Sequence, residues 1–438
     1  MALLYYLPDQ TPALHTEIGQ RLQTGLRHLS QVFPWLAARV ITLGASSTNT
    51  GENHFAPHLD APTLVIKDLS HDESVYSFTQ MSDRKFPMEM LSEEIFAPIP
   101  TIGASESELG RDAPVFAVQC TFVKGGVVLV VVGEHRCMDG IGMGSVIKLL
   151  DKACKGIKFT EEEIEVGNME RSGLVLLNEE SVGDDDGELR NQPARETEKP
   201  AKMEVKGLKW FSFHFSEEAQ AKIKALATPK DRDGEKEGWI STDDALTAFI
   251  FHHITQARSP ILRDTDMVPP KLARAVDIRH LFNVSATYPG MFQSMTYHTY
   301  PPTNTSEATP LQELAVSLRR ALHPSTSTLK EDSQIMLCKI DQTSDKSKIS
   351  LTPNFIPSRD FMLSSWGKMG LANDVNFGIA NGGLKAVRRP SFMKVEGLGY
   401  FLPADEDGAR NVVVCLGLED GERMMTDKEW REVVDGGM

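Results

Sequence analysis

Apolar positions along the chain recur with periods that set the local structure. From Thr11 to Val32, the residues Leu14, Ile18, Leu22, Leu26, Leu29 and Val32 return at three- and four-residue steps, which predicts an amphipathic helix ended by Pro34. Thr63-Leu64-Val65-Ile66 reads as a short strand, and Met81 to Gly110 mainly as loop. Val115 to Phe122, then Lys124-Gly125-Gly126, then the run Val127-Val128-Leu129-Val130-Val131-Val132 predict a hairpin. Six successive β-branched or leucine side chains leave no polar alternation, so the second strand should be covered on both faces. Val146, Ile147, Leu149 and Leu150 then lie at helical spacing within Gly144 to Ala153, a helix that packs back on that strand.

Between Glu161 and Glu204 the periodicity lapses into Glu161-Glu162-Glu163, Asp184-Asp185-Asp186-Gly187 and a Pro193 to Pro200 stretch, predicting a solvated crossover. Trp210 to Phe215 alternates, with Phe211, Phe213 and Phe215 on one face, and Ser216 is placed to cap a helix ending near Pro229. Ser241-Thr242-Asp243-Asp244 fits a capping box for a helix carrying Ala245, Leu246, Phe249, Ile250 and Ile254. Thr309-Pro310 opens another helix, with Leu311, Leu314, Leu318 and Leu322 on one face and Pro324 as its stop. Strands are expected near Met362 to Trp366, Phe392 to Gly397 and Val412 to Leu418, and Thr426-x-x-Glu429 should cap a final helix. Helices and strands that alternate irregularly predict a mixed α/β fold.

Composition narrows the function. A chain of 438 residues exceeds one ordinary core, so two domains, or at most three, are expected from length. A net charge of -15 argues against nucleic acid or an anionic membrane as partner, because both require a basic face. The 5 cysteines are odd in number, scattered and never in a C-x-x-C pair, which predicts a reducing compartment and no zinc site. The start lacks a basic segment and an apolar stretch of signal length, and no apolar run approaches a membrane span. A cytoplasmic monomer is the expectation.

Candidate chemistry gathers after the valine run, where Gly133 and Gly140 bracket Glu134-His135-Arg136-Cys137-Met138-Asp139. A histidine titrates near neutral pH, so His135 can take the proton of a bound hydroxyl as that hydroxyl attacks. Asp139 either orients the imidazole or turns away and fixes the loop through an arginine. Other readings exist for the same residues. A metal site would lack a third ligand at motif spacing. A dinucleotide loop built on Gly140-x-Gly142-x-Gly144 would have Ser145 in the place of its last glycine. A loop histidine with purely local partners is the simplest alternative.

Further landmarks decide among them. Leu22-Gln23-Thr24-Gly25-Leu26 to Phe33-Pro34-Trp35-Leu36-Ala37-Ala38-Arg39, His135-x-x-x-Asp139-Gly140, Ser241 to Phe251, Ala275-Val276-Asp277-Ile278-Arg279, Tyr288-Pro289-Gly290, Met295-Thr296-Tyr297-His298 and Leu363-Ser364-Ser365-Trp366 occur in one order. In that order the chain resembles the fungal branch of the BAHD acyl-CoA-dependent acyltransferases. One landmark departs: the family's Asp-Phe-Gly-x-Gly corresponds to Asn376-Phe377-Gly378-Ile379-Ala380, with Asp374 two residues upstream of the amide.

The resemblance implies two chloramphenicol-acetyltransferase-like domains, residues 1–175 and 206–438, joined by a crossover at 176–205, with a channel between them. It implies transfer of an acyl group, acetyl first among them, from acyl-CoA to a hydroxyl of a small secondary metabolite such as a trichothecene-like sesquiterpenoid, with no metal. His135 would be the general base, and Asp139 would bridge to Arg279. Ser364, Ser365 or Trp366 would position the oxyanion or the acceptor. Asn376 and Gly378 would brace the cleft. Tyr297 and His298 are candidates for the acceptor pocket, and Lys385, Arg388 and Arg389 for the CoA phosphates. A carrier-protein-dependent condensation enzyme is an alternative, though Glu134 stands where such domains double the histidine. A non-catalytic binding member of the fold is the other.

Overall fold

The computed structural model describes residues 1–101, 114–175, 207–229, 239–262, 268–301, 309–352, 355–371, 375–379 and 383–434. Thirteen strands occur among them, forming two large mixed sheets and one hairpin. The first sheet takes β1 (Ala2–Tyr6), β4 (Thr63–Leu69), β5 (Phe116–Val123), β6 (Gly126–Gly133) and β11 (Leu384–Arg388), in the order β11-β1-β6-β5-β4. The second takes β7 (Leu208–Phe215), β8 (Lys271–Asp277), β9 (Gln293–Thr299), β10 (Phe361–Ser365), β12 (Leu398–Phe401) and β13 (Arg410–Gly417), in the order β7-β13-β12-β10-β8-β9. The remaining hairpin pairs β2 (Arg39–Leu43) with β3 (Glu52–Ala56).

The valine run is β6, and its lack of alternation has a physical reason in two separate cores. Val127, Leu129 and Val131 pack with Leu22, Leu26 and Leu29 of the helix Pro12–Val32 and with Val146, Ile147 and Leu150 of the helix Gly140–Cys154. Val128 and Val130 face the opposite way, against Phe78, Met81 and Phe96. Both faces exclude water, so an apolar residue is favoured at every position. The second sheet divides its residues in the same way. Phe211, Phe213, Phe215, Leu363 and Phe401 lie under the helices Glu217–Ala227 and Thr242–Ala257, while Trp210, Met362, Trp366 and Tyr400 form a smaller aromatic layer on the other face.

Ser216 and Ser241 cap their helices as the sequence predicts, and Thr11 and Thr309 likewise accept a backbone N–H at the start of theirs. Four expectations are corrected. Glu161–Gly167 is a helix with a Thr160/Glu163 capping box, because three glutamates at a helix N-terminus complement its dipole. Phe392 to Gly397 is irregular rather than a strand, with β11 and β12 on either side. The last helix, Lys428–Arg431, is capped by Asp427 rather than Thr426. Met1 to Leu7, read only as too short for a signal segment, supplies the interior strand β1 between β6 and β11. Through β11, the second half of the chain completes the first sheet. The 176–205 crossover lies outside the described residues, and among the described helices none is long and apolar enough to cross a membrane.

Candidate active site at the interface of the two sheets

β6 ends at Gly133, and the turn that follows is closed by the Cys137 amide donating to the Glu134 carbonyl at 2.9 Å. Asp139 then caps the helix Gly140–Cys154, its Oδ1 accepting the Gly142 amide at 2.8 Å. The same carboxylate crosses to the other half of the molecule. Oδ1 accepts from Arg279 Nη2 at 3.0 Å, and Oδ2 accepts the Phe292 amide at 2.7 Å and pairs with Arg279 Nη1 at 3.0 Å. Of its two sequence readings, Asp139 follows the second: it ties the loop down through an arginine.

Arg279 lies just after β8 and spends its remaining donors on the same interface. It donates to the carbonyls of Tyr288 at 3.1 Å and Gly290 at 2.6 Å, and to Asp277 Oδ1 at 2.7 Å. Both ends of the bridge are buried, Asp139 at 3% exposure and Arg279 at 1%. Burial alone would lower the arginine pKa, but the Asp139 and then the Asp277 carboxylates outweigh it and hold the guanidinium above its usual range. Sequence reasoning missed Asp277, Phe292 and Gly142 as parts of this bolt; only the Asp277-x-Arg279 spacing hinted at the first.

Gly142 shows how closely the halves meet. A Cβ placed there would lie 2.2 Å from the Pro289 carbonyl oxygen, which is backbone and cannot rotate aside. Gly142→Ala is therefore expected to cost about 1–3 kcal/mol, as overpacking does elsewhere. Urea unfolding checks this, and an unchanged midpoint would count against a tight interface.

His135 stands at the open side of the turn. Its surface is exposed to solvent although protein surrounds it on most sides. This desolvation pulls its pKa below the ordinary histidine value, assisted by the charge of Arg389 and opposed by Asp139 and Glu134. Behind the turn, Arg171 Nη1 donates to the Cys137 carbonyl at 2.7 Å while its guanidinium lies over Trp35 at 4.6 Å and Phe55 at 4.9 Å. Arg171 was not singled out from the sequence, since nothing local marks it.

Across the interface, β10 runs parallel to both β8 and β12 and delivers the Ser364-Ser365-Trp366 segment. A Cβ on Gly140 would lie 3.6 Å from Trp366 Cδ1 and 4.0 Å from its Nε1, so the indole edge rests beside the histidine motif. Ser365 points to the helix side and donates to Asp243 Oδ1 at 3.2 Å, a carboxylate already paired with Arg274 at 2.5 Å. It is committed to the second domain rather than free for the cleft. Alternation along β10 puts Ser364 on the Trp366 face.

The weaker candidates disperse. Tyr297 donates its hydroxyl to the Leu351 carbonyl, and His298 is buried with its two nitrogens on Ser317 Oγ at 3.0 Å and Thr296 Oγ1 at 3.1 Å. Both line a separate cavity of about 260 Å³ between β9 and the helices Pro310–Arg320 and Leu329–Gln342. Burial, with the nearby Arg274 charge, pulls the His298 pKa to about 4. Arg388 is corrected as a phosphate ligand: it is buried and holds Asp405 through two bonds of 2.8 Å. Lys385 is paired with Glu406 at 2.9 Å, and Arg389 is buried against aromatic rings.

Asn376 and Gly378 stand at the far end of the helix Gly140–Cys154. Asp151 Oδ1 accepts the amides of Asn376 at 3.0 Å and Phe377 at 2.7 Å, and the Asn376 side-chain oxygen accepts the Gly378 amide at 3.0 Å. Twelve helical residues separate Asp151 from Asp139, roughly 18 Å along the axis. An amide oxygen accepts this bond as a carboxylate does, so the departure from aspartate keeps the turn. Asp374 and Ala380 lie outside the described residues. So placed, the motif braces the helix rather than the chemistry. Among the described residues, no group of three or more His, Cys, Asp or Glu side chains could hold a metal ion.

Comparison with known proteins shows the family. The trichothecene 3-O-acetyltransferase-like N-terminal domain model matches residues 1–154, and the Transferase family model matches residues 93–432. The chain is 37% identical to the trichothecene 3-O-acetyltransferase of Fusarium sporotrichioides, over 98% of this chain and 92% of that one. It is 32% identical to an O-acetyltransferase of Cryptosporiopsis sp., again over 98% of this chain and 92% of the relative. The crystal structure of the F. sporotrichioides enzyme with coenzyme A and T-2 superposes with a TM-score of 0.85 at 35% identity, covering 99% of this chain and 94% of that one. Vinorine synthase, at 14% identity and a TM-score of 0.62, shares the fold. With a family model spanning most of its length and the Asp139–Arg279 bolt at its interface, the chain belongs to the Transferase family of BAHD-type acyl-CoA-dependent O-acyltransferases.

Proposed function

We propose that this protein transfers an acetyl group from acetyl-CoA to a hydroxyl of a trichothecene-like sesquiterpenoid, with His135 as general base. The observation that carries the reading is the pairing of an open, desolvated imidazole with a loop bolted across the interface by Asp139 and Arg279. The acceptor hydroxyl gives its proton to His135 while its oxygen attacks the thioester carbonyl. The tetrahedral oxyanion collapses, the C–S bond breaks, and the departing CoA thiolate recovers the proton from the imidazolium. No covalent bond to the protein is required. Trp366 Nε1 and Ser364, on the same face of β10, are the donors we assign to the oxyanion or the acceptor, a role worth on the order of 10²–10³ in rate where such donors have been removed. The acceptor class is supported by similarity, over nearly the whole chain, to trichothecene 3-O-acetyltransferases. A reducing, cytoplasmic setting is supported by five free, buried cysteines.

The reaction is tested by incubating the protein with acetyl-CoA and a panel of hydroxylated terpenoids, polyketides and alkaloids, including a trichothecene with a free 3-hydroxyl, and analysing products by mass spectrometry. Acetylation of the 3-hydroxyl is expected; product from every other class but not from the trichothecene would reassign the acceptor. The pH profile is a second check. A base must be neutral to act, and burial lowers the pKa of His135, so the acid limb of kcat/KM should be centred below 6.5. An acid limb centred above 6.5 would contradict a desolvated His135 as the base.

A further inference from the structure

A second polar site lies on the other side of Arg389. Between the 84–88 turn and strands β7 and β13 is a cavity of about 200 Å³, lined by Pro87, Met88, Leu402 and Val413 together with Arg389 and Ser212. Arg389 is 6% exposed, and its Nε and Nη2 have no hydrogen-bond partner; nor has Ser212 Oγ. The guanidinium lies over Phe392 at 3.9 Å and Tyr400 at 4.9 Å, and the Glu93 charge acts on it without forming an ion pair. Buried donors are ordinarily satisfied, and a buried cation ordinarily has an anion. None of the described residues lining this cavity is an aspartate or glutamate, in a chain whose net charge is -15. The neighbouring arginine differs, since Arg388 is saturated by Asp405 and by the carbonyls of Lys85 and Phe86.

The two free donors are the side-on pair of the guanidinium fork, which matches the two oxygens of a planar carboxylate. Ser212 adds a third donor; Pro87, Met88, Leu402 and Val413 give the wall apolar surface, and Arg84, Lys85, His214 and Asn411 also line it without adding an acid. We propose that this cavity binds a small organic carboxylate, short-chain or aromatic, with its head group on Arg389 Nε and Nη2 and Ser212 Oγ. The volume excludes a nucleotide and suits a ligand of a few heavy atoms. The site goes beyond the acetyl-transfer reading and does not depend on it.

Calorimetric titration of the full chain, without acetyl-CoA, tests the proposal with isobutyrate, benzoate, their neutral amides and inorganic phosphate. A carboxylate should bind at least about tenfold more tightly than its amide, as charge-assisted hydrogen bonds require. Ser212→Asp places a carboxylate inside the cavity and should abolish binding, and Arg389→Met, if it folds, should do the same. A carboxylate that competes with the acceptor marks an acceptor subsite, and one that binds beside it marks a separate site; both support the proposal. Equal binding of acid and amide, tighter binding of phosphate, or undiminished binding to Ser212→Asp would each overturn it.

Discussion

Replacing His135 by alanine should lower kcat by about 10²–10⁴-fold, the usual contribution of a positioned general base, while acetyl-CoA binding stays near the wild-type value. Two structural facts set this expectation. The imidazole is open to solvent, so its removal leaves no cavity and the fold should be unaffected. The loop that carries it is held by Asp139, Arg279 and Arg171 rather than by the ring. Loss of rate should therefore appear without loss of stability, read by steady-state kinetics together with a melting curve. Unchanged turnover in a folded variant would remove His135 from the mechanism.

Asp139→Ala should have the opposite signature, costing about 3–5 kcal/mol because it breaks a buried ion pair from one side. Arg279 would keep Asp277, which is itself partly exposed, and would lose the carboxylate that accepts at both of its terminal nitrogens. The amides of Gly142 and Phe292 would lose their acceptor as well. Untied, the helix Gly140–Cys154 no longer fixes the turn before it, and kcat should fall even at temperatures where the protein stays folded. Asp139→Asn, which retains an oxygen but not the charge, should lie between wild type and alanine in a denaturant titration. Alanine and wild type unfolding at the same midpoint would show that the bridge carries no stability.

The contrast between these two substitutions reflects what a sequence encodes locally and what only folding brings together. The valine run, the caps at Ser216 and Ser241, and the His135-x-x-x-Asp139-Gly140 spacing were legible because each depends on neighbours in the chain. The Asp139–Arg279 contact spans 140 positions and entered only through family resemblance. Asp151 under the Asn376 turn and Arg171 behind Cys137 gave no signal, since a single charged residue on a helix or loop is ordinarily solvated. The interior strand Ala2–Tyr6 carries no strand signal, because five apolar residues have no period of their own. The arginine pair at 388 and 389 read as one basic patch, yet one guanidinium is saturated and the other has two free donors.

The central claim is direct transfer of the acyl group, with His135 accepting the proton. A single turnover with excess enzyme, acetyl-CoA and a trichothecene bearing a free 3-hydroxyl, quenched at intervals and analysed by intact-mass spectrometry of protein and acceptor, tests it most directly. The account predicts acetyl appearing on the acceptor at the rate it leaves CoA, never on the protein, and at a rate reduced by orders of magnitude in His135→Ala. Transient acetylation of the protein that keeps pace with turnover, or an undiminished burst in His135→Ala, would contradict it.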